Sequence, residues 1–386
     1  MTVKFNGGQD RTGAGAKQLQ PHYFERKALI EAQDEMYFSQ LADTKSMPKN
    51  HGMQIKQYRY MPVIDDRNIG GQGLDAKGAE YANGNLYGST NDIGKITDKF
   101  PVLGEMGGRV NKIDFTRVEL VGTLHKFGMF YEYTQDAMNF DSDAELLTHT
   151  NRELMNASVK VYEDKLQLDL LTNAGLVKYM GSATQDSELD AGMELTYKAL
   201  IKLGIDLDKS HTPKKTEIIT GTRMIDTKTV PACRVAFIGS ELLPTLMALQ
   251  DFNNNPAWVS VEKYAGGTTV LKGEVGACAG FRFIVAPRML KWAGVGMTAN
   301  DATYFSTNNK YDVFPLLVVG DKAFTTIGFQ SDGKSQKFIT KHVKPSENVT
   351  SQDPYGETGF SSTKWYYGFM PQYQERLALI KCVAKM

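Results

Sequence analysis

The chain has 386 residues, 41% hydrophobic and 23% charged, which is typical of a folded globular protein and argues against a disordered one. Its length exceeds what one hydrophobic core usually supports, so we expect two or more lobes. Lysine plus arginine and aspartate plus glutamate both number 44, giving a formal net charge of zero. This balance argues against a dedicated nucleic-acid-binding protein, which needs a basic excess to displace counterions from phosphates, and it suits an oligomer.

The cysteines and the first residues limit the redox chemistry and the location of the protein. Cys233, Cys278 and Cys382 are far apart and form no CxxC pair, so the sequence predicts neither a zinc site nor a disulfide framework. The amino-terminal sequence MTVKFNGGQDRTGAG lacks the apolar core of a signal peptide. No apolar run reaches the ~18 residues that span a bilayer. We therefore predict synthesis in a reducing cytoplasm and no membrane partner.

The first fifty residues predict a mobile arm followed by a helix. Residues 1–21 are polar and contain several glycines. Pro21 then precedes a helical pattern of apolar residues over 22–42. Pro48 and Gly52 close this region, because both residues interrupt regular structure.

The stretch 53–133 is extended, and its middle part is crowded with glycine. Alternating residues predict one strand from about residue 55 to 64 and a second over 110–133, separated by the glycine-rich segment 68–108. The simplest interpretation is a long two-stranded excursion. Because an isolated hairpin is only marginally stable in water, it would need a surface to lie on, such as a neighbouring subunit. A long irregular loop, or two strands of an internal sheet, remains the alternative.

A helix without glycine or proline is predicted over 143–174. Ser142 and Glu145 have the spacing of a capping box at its start, and Gly175 fits a left-handed stop at its end. At ~1.5 Å per residue the helix would be roughly 48 Å long. A heptad pattern this short, with no code of flanking charges, favours packing on a core over a coiled coil. The residues predicted to form its buried stripe are Leu147, Leu154, Ala157, Val161, Leu168 and Leu171.

The second half of the chain predicts a mixed α/β lobe. After a polar linker at 181–190, one helix is expected over 194–203 and another over 240–249, with Ser240 as its N-cap. The aromatic tail from Trp365 ends in an apolar run, which predicts a strand that returns to the lobe of the long helix. The other predicted strands are 217–219, 234–238, 268–271, 281–286 and 314–319.

No sequence pattern indicates catalysis or a bound cofactor. Phosphate-binding GxxxxGK[ST] and GxGxxG motifs, the zinc motif HExxH and the nucleophile motif GxSxG are all absent. The histidines are isolated, and His149 is interpreted as structural or solvent-facing. Asp141 and Asp143 would favour a helix amino terminus, and Asp206 and Asp208 predict a surface turn. We therefore predict no catalytic residue, no cofactor-binding residue, no metal ligand and no cofactor.

A local basic run contains Lys334, Lys337, Lys341 and Lys344. We interpret it as a solvated edge. A weak contact with nucleic acid is the alternative, since a few lysines can contact phosphates without a basic excess over the whole chain.

A series of short motifs, in order along nearly the whole chain, carries a family resemblance. The motifs are 47–52, 58–62, 65–69, 140–143, 163–171, 273–276, 281–283, 355–359 and 364–368. In these stretches the chain resembles the major capsid proteins of podophages related to coliphage N-four. No single motif is chemically specific, and the resemblance rests on their order and coverage.

The resemblance implies the α+β Hong Kong 97-type capsid fold of tailed phages. It divides the chain into an amino-terminal arm and helix (1–50), an extension loop in the form of a long β-hairpin (51–135), and a peripheral domain (136–214). The spine helix of the peripheral domain is predicted at 143–174. An axial domain (215–345) and a carboxy-terminal return to the peripheral domain (346–386) complete the expected organisation.

The resemblance also implies a function and partners. Copies would form hexamers and pentamers of an icosahedral shell that encloses double-stranded DNA, with assembly in the host cytoplasm and residence in the virion. The roughly 20 polar residues at the start cannot be a fused scaffolding domain, which implies a separate scaffolding protein, a portal and, as a further option, decoration proteins. An encapsulin-like nanocompartment shell is the alternative within the structural class. A hydrolase or small-ligand enzyme is the alternative outside it.

Overall fold

The computed structural model of the chain describes residues 36–41, 43–48, 50–60, 117–140, 146–219, 227–230, 233–265, 270–331, 334–335, 338–349 and 353–385. The α-helices are α1 (Gln135–Phe140), α2 (Leu146–Thr172), α3 (Tyr197–Lys209) and α4 (Leu243–Met247). The strands are β1 (Asp43–Met47), β2 (Gln54–Tyr60), β3 (Arg117–Thr134), β4 (Leu176–Tyr179), β5 (Thr216–Ile219), β6 (Thr227–Val230), β7 (Arg234–Ile238), β8 (Val259–Ser260), β9 (Glu274–Cys278), β10 (Phe281–Val285), β11 (Ser306–Thr307), β12 (Lys310–Tyr311), β13 (Phe314–Val319), β14 (Phe324–Ser331), β15 (Lys334–Ser335), β16 (Phe338–Val343), β17 (Thr358–Pro371) and β18 (Leu377–Cys382). Single 3₁₀ turns lie at Ser39–Leu41, Asp186–Glu188, Ser240–Leu242, Val261–Lys263, Pro345–Glu347 and Gln374–Arg376.

The chain divides into two compact units. The larger comprises Met1–Gly52 and Leu124–Met386, and the smaller comprises Met53–Thr123. In the smaller unit, β2 pairs antiparallel with the first part of β3, in a register from Gln54 opposite Thr123 to Tyr60 opposite Arg117. The antiparallel pairing of the two predicted strands is confirmed, whereas the excursion itself stays a prediction, because residues 61–116 lie outside the described residues.

The first sheet of the larger unit places β1, β14, β17 and the later part of β3 side by side, with β15 on β14 and β16 on β17. Buried and half-buried residues alternate along most of β17, because one face of the strand lies on α2. Two hydrogen bonds fix this packing. The Tyr367 hydroxyl donates to Asp169 Oδ2 at 2.6 Å, and the Ser361 hydroxyl donates to Asn151 Oδ1 at 2.5 Å.

The second sheet has the strand order β4-β18-β13-β7-β10-β9-β8. Every residue of β7 and β13 is buried, since both faces of these central strands are covered. Val235 and Phe237 belong to the core that includes α2, whereas Ala236 and Ile238 belong to a second core that includes α3. The strand predictions for β7 and β13 are confirmed with their exact bounds.

The predicted buried stripe of the long helix is confirmed at Leu171 and wrong at Val161 and Leu168. Val161 and Leu168 are 37% and 46% exposed, whereas Tyr162, Leu166 and Leu170 are buried. Val161 and Tyr162 are neighbours, about 100° apart around an α-helix, and the sheet covers the side of Tyr162, whose ring lies 5.2 Å from that of Tyr367 on β17. Here the buried face follows a four-residue spacing instead. The proposed cap residues Ser142 and Glu145 lie outside the described residues.

The interpretation of Gly175 as a left-handed helix stop is also wrong. Gly175 is absent from the glycines with positive φ, and α2 ends three residues earlier. The residue is glycine because the backbones come close together: a Cβ atom there would lie 2.4 Å from the carbonyl oxygen of Gln374. The Gly175 N–H donates to that same oxygen at 3.1 Å.

The helix predicted over 22–42 does not extend through its described end. Residues 36–38 have no regular structure, a 3₁₀ turn follows at Ser39–Leu41, and β1 then pairs with β14 in parallel. Tertiary contacts override the helical pattern. The Phe38 ring lies 4.6 Å from that of Phe237, and the Phe38 N–H donates to Glu163 Oε2 at 3.0 Å.

Three further boundaries differ from the prediction. The helix expected over 194–203 is α3, which begins after Thr196; its hydroxyl caps the Ala199 N–H. The helix expected over 240–249 is a 3₁₀ turn followed by α4, with no cap bond from Ser240, because Pro244 starts a separate helical turn. Of the strand predicted over 268–271, residues 268–269 lie outside the described residues, and 270–271 have no regular structure. The next strand, β9, begins after the turn that follows them.

The tail contributes to both sheets. β17 returns to the long helix, as the sequence predicts for the tail. The final run, β18, instead lies between β4 and β13 in the second sheet, parallel to the first and antiparallel to the second. The prediction that this run returns to the lobe of the long helix is confirmed on one face of β18, where Leu377 and Leu379 belong to the core that includes α2, whereas Ala378 and Ile380 belong to the second core.

Candidate assembly surfaces

The carboxylates predicted to form a surface turn, Asp206 and Asp208, lie in the last turn of α3, so that prediction is wrong. Asp208 Oδ1 accepts a hydrogen bond from the buried Arg234 at 2.5 Å, and Lys214 lies 3.2 Å from its other oxygen. The hydrogen bond from Arg234 is the main reason that the pKa of Asp208 lies below its usual value. Asp206 pairs with Lys178 at 3.0 Å. These carboxylates tie α3 to the second sheet.

The groups most often used in catalysis are held apart or buried. All three cysteines are buried, and burial raises the pKa of the Cys278 thiol to about 11 and of Cys382 to about 12, so they remain thiols at neutral pH. His149 lies within α2. In the part of the chain that the structure describes, no three His, Cys, Asp or Glu side chains are grouped to hold a metal ion. No described helix combines the length and apolar character needed to cross a bilayer.

A buried carboxylate organises the loop before β13. Asp312 accepts hydrogen bonds from Lys291 Nζ at 2.8 Å, from the Gly294 N–H at 2.8 Å and from the Thr307 hydroxyl at 3.1 Å. Burial by itself raises the pKa of this carboxyl, but the three hydrogen bonds outweigh burial, and the pKa lies below its usual value. The arrangement is structural, since both carboxylate oxygens already have protein donors.

We expect Asp312→Asn to lower stability at pH 7 and to flatten the loss of stability in acid. A carboxyl with a lowered pKa in the folded state contributes stability that is complete above its unfolded pKa, about 3.9, and lost as the pH falls through the folded value. Urea unfolding at pH 7 and pH 3 measures the difference. Thr307→Val, which removes one donor only, should give a smaller change. Equal pH dependence in Asp312→Asn and the wild type would contradict this role.

The amino-terminal segment 37–41 is anchored on the turn 271–274. Gln40 makes two hydrogen bonds with the backbone of Lys272: its amide nitrogen donates to the carbonyl oxygen at 3.2 Å, and its amide oxygen accepts from the N–H at 3.1 Å. Gly273 has φ +72°, and a Cβ there would lie 2.5 Å from the ring of Tyr37. Residue 273 must therefore be glycine for the turn to lie against this segment.

The fully buried carboxylate of Glu274 stabilises the turn 271–274. Glu274 accepts hydrogen bonds from the Tyr264 hydroxyl at 2.6 Å and from the Leu271 N–H at 2.8 Å. The Arg282 guanidinium lies 3.6 Å from the same carboxylate. The turn is thus preformed to receive residues 37–41. The family motif 273–276 contains Glu274 but gave it no role, and no motif marked Gln40, because its contacts join segments far apart in the chain.

The paired strands of the smaller unit present one aromatic and charged face. Side chains alternate along each strand, so antiparallel partners share a face. Lys56 Nζ lies 2.6 Å from Glu119, and the Arg117 guanidinium lies 4.1 Å from the centre of the Tyr58 ring. We call this surface the ribbon face; it consists of Lys56, Tyr58, Tyr60, Arg117, Glu119 and Val121. Its two tyrosines and its valine are exposed, whereas residues that alternate with them, such as Leu120, are half-buried.

The structure describes the side chains of only two lysines of the basic run. Lys341 and Lys344 are exposed at the end of β16, the side chain of Lys334 is not described, and Lys337 lies outside the described residues. The weak contact with nucleic acid therefore stays a prediction.

Comparison with known proteins identifies the family. The family described as phage capsid protein matches residues 117–382. The major capsid protein of Pseudomonas phage KPP21 is 52% identical over 372 residues, which cover 96% of this chain and 94% of that protein. The chain belongs to the phage major capsid proteins. It is a structural protein of a bacteriophage virion and not an enzyme, and copies of it assemble into shells.

Solved structures show the same fold for this capsid protein. The capsid of Ralstonia phage GP4 matches with a TM-score of 0.58 at 9% identity, over 95% of this chain and 97% of that one. The capsid of cyanophage Pam1 matches with a TM-score of 0.55 at 11% identity, over 98% and 99% of the two chains. The predicted α+β Hong Kong 97-type fold is therefore confirmed. Neither the nanocompartment shell nor the enzyme that the sequence left open is needed to explain the chain.

Proposed function

We propose that this chain is the major capsid protein of a podophage related to coliphage N-four. It forms hexamers and pentamers of an icosahedral shell around double-stranded DNA, assembled in the host cytoplasm. The observation that carries the proposal is the 52% identity to another phage major capsid protein along 96% of the chain. The ordered motifs of the sequence support the narrower relationship to the coliphage N-four group.

The segments take the roles that this fold gives them. Residues 51–135 act as the extension loop, α2 as the spine helix of the peripheral domain 136–214, 215–345 as the axial domain, and 346–386 as the return to the peripheral domain. The ribbon face supports the first of these roles. A two-stranded ribbon is marginal alone in water, and its exposed tyrosines supply the kind of surface that a neighbouring copy can cover.

The partners follow from the same proposal. A separate scaffolding protein guides assembly, a portal occupies one vertex, and decoration proteins are a further option. Contact with the packaged DNA is weak, since the chain has no net charge. Binding energy is spread over several neighbours, with each contact modest and the closed shell stabilised by their number.

Negative-stain electron microscopy tests the proposal directly. The protein is expressed together with the other morphogenesis genes of its phage, and particles are purified by sedimentation. Closed icosahedral shells of uniform diameter are the expected result. Open aggregates or only small oligomers under these conditions would contradict the shell function. Portal and terminase genes next to this one, in place of a gene for an encapsulated enzyme, are the expected genomic context.

Removal of residues 82–91 from the extension loop should leave a folded subunit that does not close shells. The deletion shortens the segment that reaches a neighbour but takes nothing from the cores of the larger unit. Circular dichroism and a thermal melt measure folding, and electron microscopy counts particles. Asn83→Ser in the same segment is the control and should keep wild-type particle numbers. Normal particle numbers from the deletion variant would contradict the proposed role of the loop.

A further inference from the structure

α2 packs on one face of the first sheet, and the opposite face carries a row of lysines. Along β17, Trp365 is buried towards α2, whereas Lys364, which alternates with it, is half-buried. Along the later part of β3 every second residue is exposed, and Phe130 is 67% exposed. We call the side of the sheet away from α2 the lysine face; it consists of Lys126, Gly128, Phe130, Ile339, Lys341 and Lys364.

The pairing of β16 with β17 places two residues of this face. The Phe338 ring lies 6.2 Å from that of Tyr162 on α2, so Phe338 points towards the helix. Ile339 and Lys341 alternate with it and point away. Ile339 lies directly opposite Lys364 in the antiparallel register, and Lys341 follows two residues further along β16.

The pairing of β3 with β17 places the others. The two strands are neighbours in the sheet, and a Cβ on Gly128 would lie 3.6 Å from the Cβ of Lys364. Further along, the hydroxyls of Tyr131 and Ser361 donate to the same Asn151 oxygen on α2. Residue numbers therefore rise along β3 as they fall along β17, and Gly128 lies beside Lys364.

The three lysines consequently lie on one diagonal across the strands. Lys126, two residues before Gly128, is a diagonal neighbour of Lys364, and Lys341 is its diagonal neighbour on the other side. Such neighbours are roughly 7 to 8 Å apart. None of the three forms an ion pair with a described residue. Phe130 lies beside this row, also diagonal to Lys364.

This arrangement indicates the chemistry of a partner. Carboxylates at alternate positions of an extended peptide are about 6.6 to 6.8 Å apart, which matches the spacing of the lysine row. Gly128 has no side chain, so a segment can approach Lys364 closely. Burying the Phe130 ring requires an apolar group, which the phosphates of duplex DNA do not provide, and Glu132 on the same side of β3 would repel phosphates. An acidic protein segment fits better than nucleic acid.

The described part of this chain does not offer such a segment to a neighbouring copy. Asp186, Glu188 and Asp190 are carboxylates at alternate positions. However, Asp186 lies 2.8 Å from Lys381 Nζ, and Glu188 accepts a hydrogen bond from the Thr184 N–H at 2.8 Å. These carboxylates are engaged within their own subunit, so the partner that fits the lysine face is a different polypeptide.

We propose that the lysine face docks an acidic segment of a different polypeptide of the phage particle, with carboxylates along the three lysines and an apolar side chain against Phe130. The proposal rests on the shell function proposed above, since the partner is a component of the same particle. Sequence reasoning treated Lys341 as part of a solvated edge and did not group it with Lys126 and Lys364, because only the strand register brings them together.

Carbodiimide crosslinking of purified phage particles tests the contact, because the reagent joins lysine amines to carboxylates that touch them. Mass spectrometry should find the three lysines joined to one acidic stretch of another phage protein. Lysine acetylation should show them equally protected in full and DNA-free particles. Adducts with this chain only, no adducts, or protection that is lost without DNA would overturn the proposal.

Matched variants test whether the face provides the binding. Lys341→Glu and Phe130→Ser should each lower the amount of the crosslinked protein in particles about tenfold, with the thermal melt of the unassembled subunit unchanged. Lys198→Glu, the same charge change at an exposed lysine of α3, should stay within about twofold of wild type. Wild-type amounts of the crosslinked protein in Lys341→Glu particles would contradict the proposal.

A synthetic peptide with the crosslinked acidic stretch separates docking from assembly. It should bind the unassembled wild-type subunit, and Lys341→Glu should weaken this binding at least about tenfold. Changing the facing carboxylate of the peptide to lysine should restore binding to Lys341→Glu. No binding to the wild-type subunit would overturn the proposal, whereas a subunit that binds the peptide but forms no shells would reject the shell function alone.

Discussion

Gly175→Ala should destabilise the subunit by about 3 kcal/mol, at the upper end of the usual cost of overpacking. The added Cβ would lie 2.4 Å from the Gln374 carbonyl oxygen, which is part of the backbone and cannot rotate away. The chain after α2 and the turn before β18 would have to separate, and the hydrogen bond from the Gly175 N–H to Gln374 would lengthen. Urea unfolding of the unassembled subunit measures the change.

Gly204→Ala is the matched control. Gly204 lies inside α3, and the nearest atom to an added Cβ is 4.0 Å away, on the Phe281 ring. Alanine is favoured over glycine in a helix by about 0.5 to 1 kcal/mol, so this variant should be slightly more stable than wild type. The two substitutions are chemically identical and should have opposite signs. If Gly175→Ala proved as stable as wild type, the close approach of the two backbones would not constrain the fold.

Glu274→Ala should cost about 3 to 5 kcal/mol, because it removes the buried carboxylate that faces Arg282 and leaves a cavity. It also removes the acceptor for the Leu271 N–H, so the turn that receives Tyr37 and Gln40 should loosen. Two measurements follow. Urea unfolding gives the free energy, and limited proteolysis reports faster cleavage close to residues 36–41.

Tyr264→Phe measures how much of this cost comes from the hydrogen bond between Tyr264 and Glu274. This variant keeps Glu274 and Arg282 and loses one hydrogen bond to a charged group, at a cost of about 1.5 to 3 kcal/mol. Glu274→Gln keeps the size of the side chain, and its loss of stability should lie between those of Glu274→Ala and Tyr264→Phe. Equal stability for Glu274→Ala and Tyr264→Phe would show that the carboxylate does not stabilise the turn. Unchanged proteolysis in Glu274→Ala would show that the turn does not anchor residues 36–41.

The elements that the sequence predicted well are those whose signal is local. β7 and β13 consist almost wholly of apolar residues because both of their faces are covered, and such a run can be read without knowing its neighbours. The long helix has no glycine or proline, and the alternation in β2 is visible residue by residue. Each of these patterns lies within one element.

The elements that it missed depend on contacts distant in sequence. β1 forms because Asp43–Met47 pairs with β14, and residues 36–38 leave the helical pattern because Phe38 packs on Phe237. No local pattern could choose Tyr162 over Val161 as the buried residue of α2, since both are apolar and adjacent. The anchoring turn lies in a family motif, but its role depends on hydrogen bonds with Gln40, which composition does not encode.

The place of β18 in the second sheet has a consequence for synthesis. Nearly the whole chain leaves the ribosome before this strand does, yet β18 is an interior strand that covers one edge of β13 and one edge of β4. At roughly 5 to 20 residues per second, the nascent chain waits for about 3 to 12 seconds between β13 and β18, with β13 unpaired on that side. A product that stops short of residue 377 lacks this interior strand. Such truncated chains should be recognised and degraded, and should rarely enter a growing particle.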